Sequence, residues 1–354
     1  MQGTPSTVRD GARMGTGRPL RIGVIGVGRI GRMHAELLAR QVPGAALAMV
    51  HDAFADTAES VAMDLRVPVA GSAEELLRAP DVDAAAICTS TDTHADLIVA
   101  AAPAGKATFC EKPISLELAE VDRALAAVDE AGVAFQIGFN RRFDPAHAAV
   151  AAAVADGTVG DPHLVRISSR DPAPPPMAYV RVSGGIFLDM TIHDFDMARF
   201  VSGSEVVEVF ARGAVRVDPA FADAGDVDTA VVTLIHANGC LTTIDNSRQA
   251  VYGFDQRVEV FGSAGMAASE NPLAHSAVLR SAQDTRAAKL HHFYLERYVP
   301  SYVAEWQAFV AAVSEGRRPL VTGRDARAPL VIGLAAGRSL REGRPVRVEE
   351  VESA

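Results

Sequence analysis

The sequence predicts a doubly wound α/β Rossmann domain, built on a parallel sheet, followed by an α+β domain with an open, largely antiparallel sheet. Two observations carry this prediction. Short apolar runs alternate with amphipathic segments from residue 20 to about residue 140, as strands joined by helices do. Beyond that point, a proline-rich stretch and runs of alternating polar and apolar residues replace this rhythm.

The first domain is expected over residues 19–140. Several of its strands are apolar throughout, which is typical of a parallel sheet covered on both faces by helices. It begins with the strand "LRIGVIG", and "GRIGRMHAELLARQ" then has helical periodicity. The alternation continues, in order, through AALAMVHD, VDAAAICTSTDTHADLIVAAAPAG, KATFCEKP, SLELAEVDRALAAVDEAG and VAFQIGFN.

The second domain is expected over residues 141–330, with a C-terminal helix and tail over 331–354. "RDPAPPPM" cannot form regular helix or a central strand, because proline fixes φ and lacks the N–H donor. "TAVVTLIHANGCLTTIDNSRQ" predicts two strands joined by a hairpin, and "QRVEVFGSAG" predicts a strand that ends in a turn. Two helices, "YVAEWQAFVAAVSEG" and "ARAPLVIGLAAGRSLREG", close the chain.

Composition excludes several functional classes. The net charge of -10 argues against binding nucleic acid through its phosphates, and no apolar run approaches the roughly 18 residues that span a bilayer. The three cysteines (Cys88, Cys110 and Cys240) lack paired or zinc-site spacing, which favours a reducing cytoplasm. Residues 1–18 lack the apolar core of a secretory signal and are expected to be a disordered tail, with Met14 as an alternative start.

A glycine-rich turn predicts a dinucleotide site. Gly26, Gly28 and Gly31 have GxGxxG spacing between a strand and a helix, so the helix N-terminus would face a pyrophosphate beside Arg29 and Ile30. Asp52 ends the next strand, where a carboxylate accepts from the ribose hydroxyls and repels a 2′-phosphate. No arginine follows in Ala53 and Phe54, so NAD is favoured over NADP. A tight turn without ligand and a solvated aspartate are the alternatives.

A second loop, "TSTDTHADL", follows the strand "AAAIC". Thr89, Ser90 and Thr91 are expected to line the cofactor crevice beyond the carboxyl end of that strand. His94 is expected to touch the edge of the cofactor. Asp92 and Thr93 are equally compatible with capping the helix that begins there.

"CEKPIS" places Lys112 at a strand end, on the side of the sheet where ligands bind in doubly wound folds. Its ammonium group can donate to a substrate hydroxyl and stabilise a developing alkoxide. A surface salt bridge with Glu111 is the alternative reading. Pro113 is a candidate for a cis peptide bond.

Asp189 and His193 are four residues apart, a spacing that puts both on one face of a continuous helix. A carboxylate beside an imidazole orients it and stabilises its protonated form, so His193 is a candidate general base. A helix-surface ion pair and a metal site with Asp196 are the alternatives. No metal is expected, since a lysine and a nicotinamide would supply the electrostatics and the electron sink. Asp194 and Asp196 are interpreted as structural.

These segments together resemble the Gfo/Idh/MocA family of sugar dehydrogenases, over nearly all of residues 20–343. The resemblance is carried by "GVIGVGRIGRMHA", "CEKPIS", "QIGFNRRFDP", "GGIFLDMTIHDFDMARF" and "DQRVEVFGSAGM". It implies a catalytic set of Lys112, Asp189 and His193, with Glu111 and Lys112 near the cofactor. It also implies that the outer face of the second sheet builds tetramers.

The resemblance further implies that Asn140 and Arg141 lie near substrate and nicotinamide. Asp171, Tyr252 and Tyr302 would contact a polyol. The expected activity is NAD-dependent oxidation of myo-inositol at its axial hydroxyl to the 2-keto product. Dehydrogenation of scyllo-inositol or glucose, and a non-catalytic NAD-binding regulator, are the alternatives.

Overall fold

The computed structural model describes residues 17–352, so the predicted tail falls almost wholly outside the described residues. Contacts divide the described chain into two compact units. The first comprises the residues up to Cys110 together with Ala126–Gln136 and Trp306–Thr322. The second comprises Glu111–Leu125, Ile137–Glu305 and the residues from Gly323 onward.

The first unit contains a five-stranded sheet in the order β2-β1-β3-β4-β5. The strand pairs β1–β2, β1–β3 and β3–β4 are all parallel, which confirms the predicted doubly wound fold. The elements up to residue 138 are β1 (Leu20–Ile25), α1 (Arg29–Arg40), β2 (Ala45–His51), α2 (Ala55–Leu65), α3 (Ala73–Arg78), β3 (Ala84–Ile87), α4 (Thr91–Ala101), β4 (Ala107–Glu111), α5 (Leu118–Ala131) and β5 (Phe135–Gly138).

The strands of this sheet are apolar because helices cover both faces. Every residue of β3, β4 and β5 is buried. Strands that bury both faces need apolar side chains at successive positions rather than at alternate ones. The carboxyl ends of β1, β3 and β4 therefore lead directly into the loops that carry the candidate cofactor residues and Lys112.

The second unit contains a seven-stranded sheet in the order β11-β10-β6-β9-β8-β7-β14. It is largely antiparallel, as predicted, with β6 and β9 as a parallel pair. Along the chain, a 3-10 turn over Asn140–Phe143 is followed by α6 (Pro145–Ala155), β6 (Pro162–Arg170), α7 (Met177–Val180), α8 (Gly185–Asp189), α9 (Ile192–Ser202), β7 (Val206–Ala214), α10 (Ala220–Asp223), β8 (Thr229–His236), β9 (Leu241–Ser247), β10 (Asp255–Gly262), β11 (Met266–Ser269), β12 (Val278–Arg280), β13 (Thr285–Ala287), α11 (Tyr294–Arg297), α12 (Val299–Ser314), α13 (Gly323–Glu342), β14 (Val346–Arg347) and α14 (Glu349–Glu352).

Within residues 17–352, side chains pack against only one face of this larger sheet. Alternate residues of β8 and β9, such as Val232 and Ile244, are buried in a core shared with α9 and α13. The intervening residues form the outer face, where Val231 is 54% exposed and Phe261 is 47% exposed. Strand side chains alternate between faces, so this pattern follows from the polar and apolar alternation in the sequence.

The predicted boundaries need correction near the C-terminus. Trp306 belongs to the first unit: its ring lies 4.3 Å from that of Phe109, and its Nε1 donates to His34 Nδ1 at 2.9 Å. The periodicity of α12 predicts a helix but does not show which core receives its aromatic side chains. The predicted boundary at residue 330 falls inside α13, which begins at Gly323.

No helix within residues 17–352 is both long and apolar enough to cross a membrane. Over the same range, no group of three or more His, Cys, Asp and Glu side chains is arranged to hold a metal ion.

Candidate active site

The glycine turn after β1 has the three features that a dinucleotide requires. Gly26 has a φ of +84°, and a Cβ there would lie 2.7 Å from the Thr89 backbone nitrogen. A Cβ at Gly31 would lie 1.8 Å from the Gly26 carbonyl oxygen, so α1 packs closely on the turn. A Cβ at Gly28 would meet nothing within 4 Å. The backbone is therefore open for a pyrophosphate at the start of α1, and the residues present fit NAD.

Asp52 is tied to this turn, as its predicted role requires. Its Oδ2 accepts from the backbone N–H of Val27 at 2.8 Å, and its Oδ1 accepts from that of Phe54 at 2.9 Å. These two bonds fix the carboxylate beside the glycine turn. Arg29 and Ala53, also predicted to contact the cofactor, are exposed around it. The contacts predicted for Arg29, Ile30 and Ala53 stay predictions.

The loop after β3 is held by side-chain hydrogen bonds. His94 is buried and its Nε2 is hydrogen-bonded to the Thr89 carbonyl at 3.1 Å, so it supports the loop from beneath. Ser90 is the N-cap residue of α4, and its side chain makes no capping hydrogen bond. The suggestion that Asp92 or Thr93 caps it is therefore wrong, because the Thr93 hydroxyl donates to the Ser90 carbonyl at 2.9 Å. Cofactor contacts from Thr89, Ser90, Thr91 and His94 stay predictions.

The segment with Asp189 and His193 does not form one helix. α8 ends at Asp189, and α9 begins at Ile192. Gly184 and Gly185 start α8 with φ values of +83° and +78°, which side-chain-bearing residues rarely adopt. The expectation that Asp189 and His193 share one helical face is therefore wrong.

Both carboxylate oxygens of Asp189 accept hydrogen bonds from side chains. Its Oδ1 accepts from the Tyr179 hydroxyl at 2.7 Å, and its Oδ2 accepts from Arg248 Nη2 at 3.0 Å. The Lys112 Nζ lies 3.6 Å from Oδ1. Burial raises the pKa of Asp189, but the charges of Lys112 and Arg248 outweigh it and leave the pKa below its ordinary value. The carboxylate is therefore ionised at neutral pH.

His193 is not hydrogen-bonded to Asp189, which corrects the expectation that this carboxylate orients the imidazole. Its Nδ1 is buried without a hydrogen-bond partner among the described residues, and its ring meets Phe139 edge-on at 5.9 Å. Burial first, and then the charges of Lys112 and Arg141, hold the pKa of His193 well below its usual range. The imidazole is therefore neutral at neutral pH, the state that a general base needs.

Lys112 follows β4 and precedes a cis peptide bond to Pro113, as the sequence suggested. Its Nζ donates to the Asp189 carbonyl at 2.8 Å, so the ammonium group is directed to the Asp189 segment. The bond to Glu111 involves only the Lys112 backbone N–H, at 3.2 Å from Oε2. A side-chain salt bridge between Lys112 and Glu111 is thus not what the structure shows. The predicted cofactor contact of Glu111 stays a prediction.

Asp194 and Asp196 are buried in ion pairs with neighbouring arginines. Arg141 donates to Asp194 at 2.7 Å, and Arg142 donates to Asp196 at 2.8 Å and 2.6 Å. Burial outweighs the charge of Arg141 and raises the pKa of Asp194 to about 6. These pairs agree with the structural role expected for both aspartates. They also place Arg141 close enough to influence His193 electrostatically.

Two of the predicted polyol contacts are positioned near these groups. Asp171 lies 3.5 Å from Arg248 Nη1, and burial first and then the Asp189 charge raise its pKa. Asn140 is 3% exposed, and its Nδ2 has no acceptor in the described part of the chain. Both side chains therefore retain capacity for a ligand. Their contacts with substrate, and those of Arg141, stay predictions.

The two predicted tyrosine contacts behave differently. The Tyr252 hydroxyl donates to Asp255 at 2.7 Å and accepts from Arg170 at 3.0 Å. These partners fix the orientation of the hydroxyl, and its contact with a polyol stays a prediction. Tyr302 is buried, and burial together with the Glu111 carboxylate raises its pKa well above the ordinary value. Its contact with a polyol stays a prediction.

Sequence reasoning missed Arg248 and Tyr179, the two side chains that bond to the Asp189 carboxylate. Arg248 is 59 residues from Asp189 and directly follows β9, whereas Tyr179 lies in the short helix α7. One feature of the sequence could have indicated Arg248. It is a charged residue that directly follows a strand, β9, in which buried and less buried residues alternate.

Residues 20–139 match the model of an oxidoreductase family with an NAD-binding Rossmann fold. Residues 147–268 match the Gfo/Idh/MocA C-terminal domain. The chain belongs to the Gfo/Idh/MocA family of oxidoreductases. The predicted family, its Rossmann fold and the choice of NAD as cofactor are confirmed.

Several relatives match this oxidoreductase over almost their whole length. The myo-inositol 2-dehydrogenase of Thermotoga maritima is 50% identical over 94% of this chain and 99% of its own. The inositol 2-dehydrogenase of Rhizobium meliloti is 45% identical over 93% of this chain and 99% of its own. A solved structure of scyllo-inositol dehydrogenase from Lactobacillus casei, with bound NAD(H) and scyllo-inositol, superposes with a TM-score of 0.88 at 27% identity and covers 94% of this chain and 100% of that one.

Proposed function

We propose that this oxidoreductase oxidises myo-inositol at its axial 2-hydroxyl to 2-keto-myo-inositol, with NAD as the hydride acceptor. The observation that carries the proposal is the grouping of a lysine (Lys112) with an ionised carboxylate (Asp189) and a neutral histidine (His193). The 50% identity to a myo-inositol 2-dehydrogenase over nearly the full length of both chains supports the choice of substrate.

In the proposed reaction the C2 hydroxyl loses its proton while the C2 hydrogen leaves as hydride. His193 takes the proton, which its neutral state permits. Lys112 donates a hydrogen bond to the substrate oxygen and stabilises the negative charge that develops there. The nicotinamide, when bound, supplies the hydride acceptor. The products are the ketone, NADH and a proton, which His193 releases to solvent.

The role proposed for Asp189 differs from the one expected from sequence. Its carbonyl accepts from the Lys112 ammonium group at 2.8 Å, and its carboxylate lies 3.6 Å from the same nitrogen. Asp189 therefore places Lys112 and balances its charge, rather than orienting the imidazole. Two oppositely charged partners held in a buried site stabilise each other only with such close geometry.

A panel of polyols tests the substrate assignment. Purified protein with NAD should form NADH faster with myo-inositol than with scyllo-inositol, other inositol isomers or glucose. NADP in place of NAD should lower kcat/KM, because the Asp52 carboxylate repels a 2′-phosphate. A higher kcat/KM with scyllo-inositol or glucose would reassign the substrate. No NADH with any polyol would favour the non-catalytic regulator.

We also propose that the protein is a cytoplasmic homotetramer with small-molecule substrates, without nucleic-acid or membrane partners. The partly exposed apolar side chains of the outer face support assembly, since a monomer rarely exposes such a surface. Val231→Arg should lower the assembled mass in analytical ultracentrifugation, because it puts a charge into the buried interface. Met63→Arg, on an exposed position of α2, is the matched control. An unchanged mass for Val231→Arg would place the interface elsewhere.

A further inference from the structure

Arg248 lies between two carboxylates of the candidate site. Its Nη2 is 3.0 Å from Asp189 Oδ2, and its Nη1 is 3.5 Å from Asp171 Oδ2. The Arg248 side chain is only 3% exposed and that of Asp171 is 25% exposed, so the guanidinium group is shielded from water. One planar guanidinium group therefore spans a proposed catalytic residue and a proposed polyol contact.

We propose that Arg248 is a positioning residue that sets the spacing between the Asp189 and Asp171 carboxylates, and thereby the orientation of the polyol against Lys112 and His193. This proposal rests on the proposed function. It assigns to Arg248 control over which hydroxyl of an inositol ring reaches the reacting position.

The backbone around Arg248 makes it a rigid reference point. Its N–H donates to the Asp228 carbonyl at 2.8 Å. The backbone of Asp171 is bonded on both sides of Arg248, to the Ser247 carbonyl at 2.9 Å and from the Ala250 N–H at 2.6 Å. These bonds fix the Asp171 backbone beside the Arg248 segment, and the guanidinium group links that segment to Asp189.

Asp189 needs such an external anchor. It is the last residue of the five-residue helix α8, directly before the break that separates α8 from α9. Its two carboxylate oxygens are held by different side chains, Oδ1 by Tyr179 and Oδ2 by Arg248. Tyr179 is 47% exposed, whereas Arg248 is buried. Arg248 is therefore the more rigid of the two anchors.

The chemistry of the bridge requires arginine. A guanidinium group presents several N–H donors in one rigid plane, so its two terminal nitrogens can serve two carboxylates at once. A lysine ammonium group is a compact charge on a flexible stem and cannot hold both acceptors at these positions. A lysine substitution therefore keeps the charge and removes the geometry, which separates positioning from simple neutralisation.

The electrostatic consequence follows from the groups that face each carboxylate. Asp189 faces Lys112, Arg248 and Tyr179, and Asp171 faces Arg248, Arg141 and Asp189. Asp226 also acts on Arg248. Without the guanidinium group, two buried carboxylates would face each other with less compensating charge, and one would bind a proton near neutral pH. The acid limb of kcat/KM would then move to higher pH.

The first test compares Arg248→Lys and Arg248→Ala with the wild type, using myo-inositol and scyllo-inositol. Arg248→Ala should lower kcat/KM for myo-inositol by about 100-fold or more, since a buried charge pair loses one partner. The kcat/KM of Arg248→Lys for myo-inositol should exceed that of Arg248→Ala by less than about tenfold. Arg248→Lys should also change the ratio of kcat/KM for the two isomers. Guanidinium chloride at millimolar concentration should partly rescue Arg248→Ala and not Arg248→Lys. If Arg248→Lys had the kcat, the KM and the isomer ratio of the wild type, the proposal would be overturned. This comparison does not depend on whether Arg248→Ala folds.

Arg199→Ala is the matched control for a purely structural arginine. Arg199 is also buried and bonded to carboxylates, with Glu205 at 2.6 Å and 2.9 Å. This variant should lower the melting temperature without moving the acid limb, the isomer ratio or the response to guanidinium. If Arg199→Ala and Arg248→Ala change the acid limb, the isomer ratio and the response to guanidinium in the same way, Arg248 has no positioning role.

Thermal unfolding against pH separates this proposal from the proposed function. In Arg248→Ala the buried carboxylates have pKa values above those of the unfolded chain, so folding stability falls as pH rises through that range. The gap in melting temperature between wild type and variant should therefore widen from about pH 5 to about pH 8. A widening gap in a protein that oxidises no polyol refutes the proposed function and retains the carboxylate bridge. If the difference in melting temperature between wild type and Arg248→Ala does not change with pH, the proposed bridge between the two carboxylates is refuted, whether or not the protein oxidises a polyol.

Discussion

Replacing His193 with alanine is expected to lower kcat for polyol oxidation by about 10³-fold, because a positioned general base contributes roughly 10² to 10⁴ in rate. NAD binding should survive, since the glycine turn and Asp52, the predicted nucleotide-binding residues, lie in the other unit of the fold. NADH absorbance measures kcat, and titration calorimetry with NAD measures cofactor affinity. Unchanged turnover would refute the assignment of His193 as the base.

The pH profile of the wild type provides a second measurement of the same residue. Burial, together with the charges of Lys112 and Arg141, holds the pKa of His193 well below its ordinary value of 6.5. Because the neutral form is the active one, the rate is lost only when the pH falls through this lowered pKa. The acid limb of kcat/KM is therefore expected below about pH 6.5, and a limb above that value would contradict the assignment.

His236 offers a matched control for His193. It is a buried histidine of the same unit whose Nε2 is hydrogen-bonded to the Thr242 hydroxyl at 2.7 Å. His236→Ala should lower the melting temperature and leave kcat near that of the wild type. Imidazole added to the assay should partly restore His193→Ala, because the substitution leaves room for a free base, and should not affect His236→Ala. Equal responses of the two variants would indicate a structural role for His193.

The sequence predicted those features that depend on local chain chemistry. Few sequences allow a turn with positive φ at Gly26 and close packing at Gly31. The glycine spacing therefore predicted the turn without a structure. Asp52 was predictable for the same reason, since the second strand of a parallel sheet ends beside the first loop. The alternation of polar and apolar residues likewise predicted strands at β8 and β9, and alternate residues of both strands are buried.

The features that the sequence did not predict depend on contacts between segments that are distant along the chain. Arg248 reaches Asp189 across 59 residues, and no periodicity of either segment encodes that meeting. The break between α8 and α9 was missed because the four-residue spacing of Asp189 and His193 fits an unbroken helix equally well. The Thr191 hydroxyl, between the two helices, donates to Asn246 Oδ1 at 2.7 Å, a tertiary contact that helical propensity does not describe.

Replacing Lys112 with methionine is expected to lower kcat by about 10² to 10³, the usual cost of losing one donor to a developing oxyanion. The pH profile should change as well. The Lys112 charge lowers the pKa of both His193 and Asp189, so its removal lets both values rise. The acid limb of kcat/KM should therefore move to higher pH. Lys112→Arg should recover little activity, because a planar guanidinium group cannot occupy the position of a compact ammonium group.

Lys106 is the matched control for this variant. Like Lys112, it donates from Nζ to backbone carbonyl oxygens, here those of Ala79 at 3.0 Å and Val82 at 2.6 Å, but it lies in the first unit. Lys106→Met should lower stability and leave both kcat and the acid limb in place. If Lys112→Met lost activity with an unmoved acid limb, Lys112 would act on the substrate oxygen alone. The lowered pKa of His193 would then come from burial and Arg141, and the proposed electrostatic coupling between lysine and histidine would be wrong.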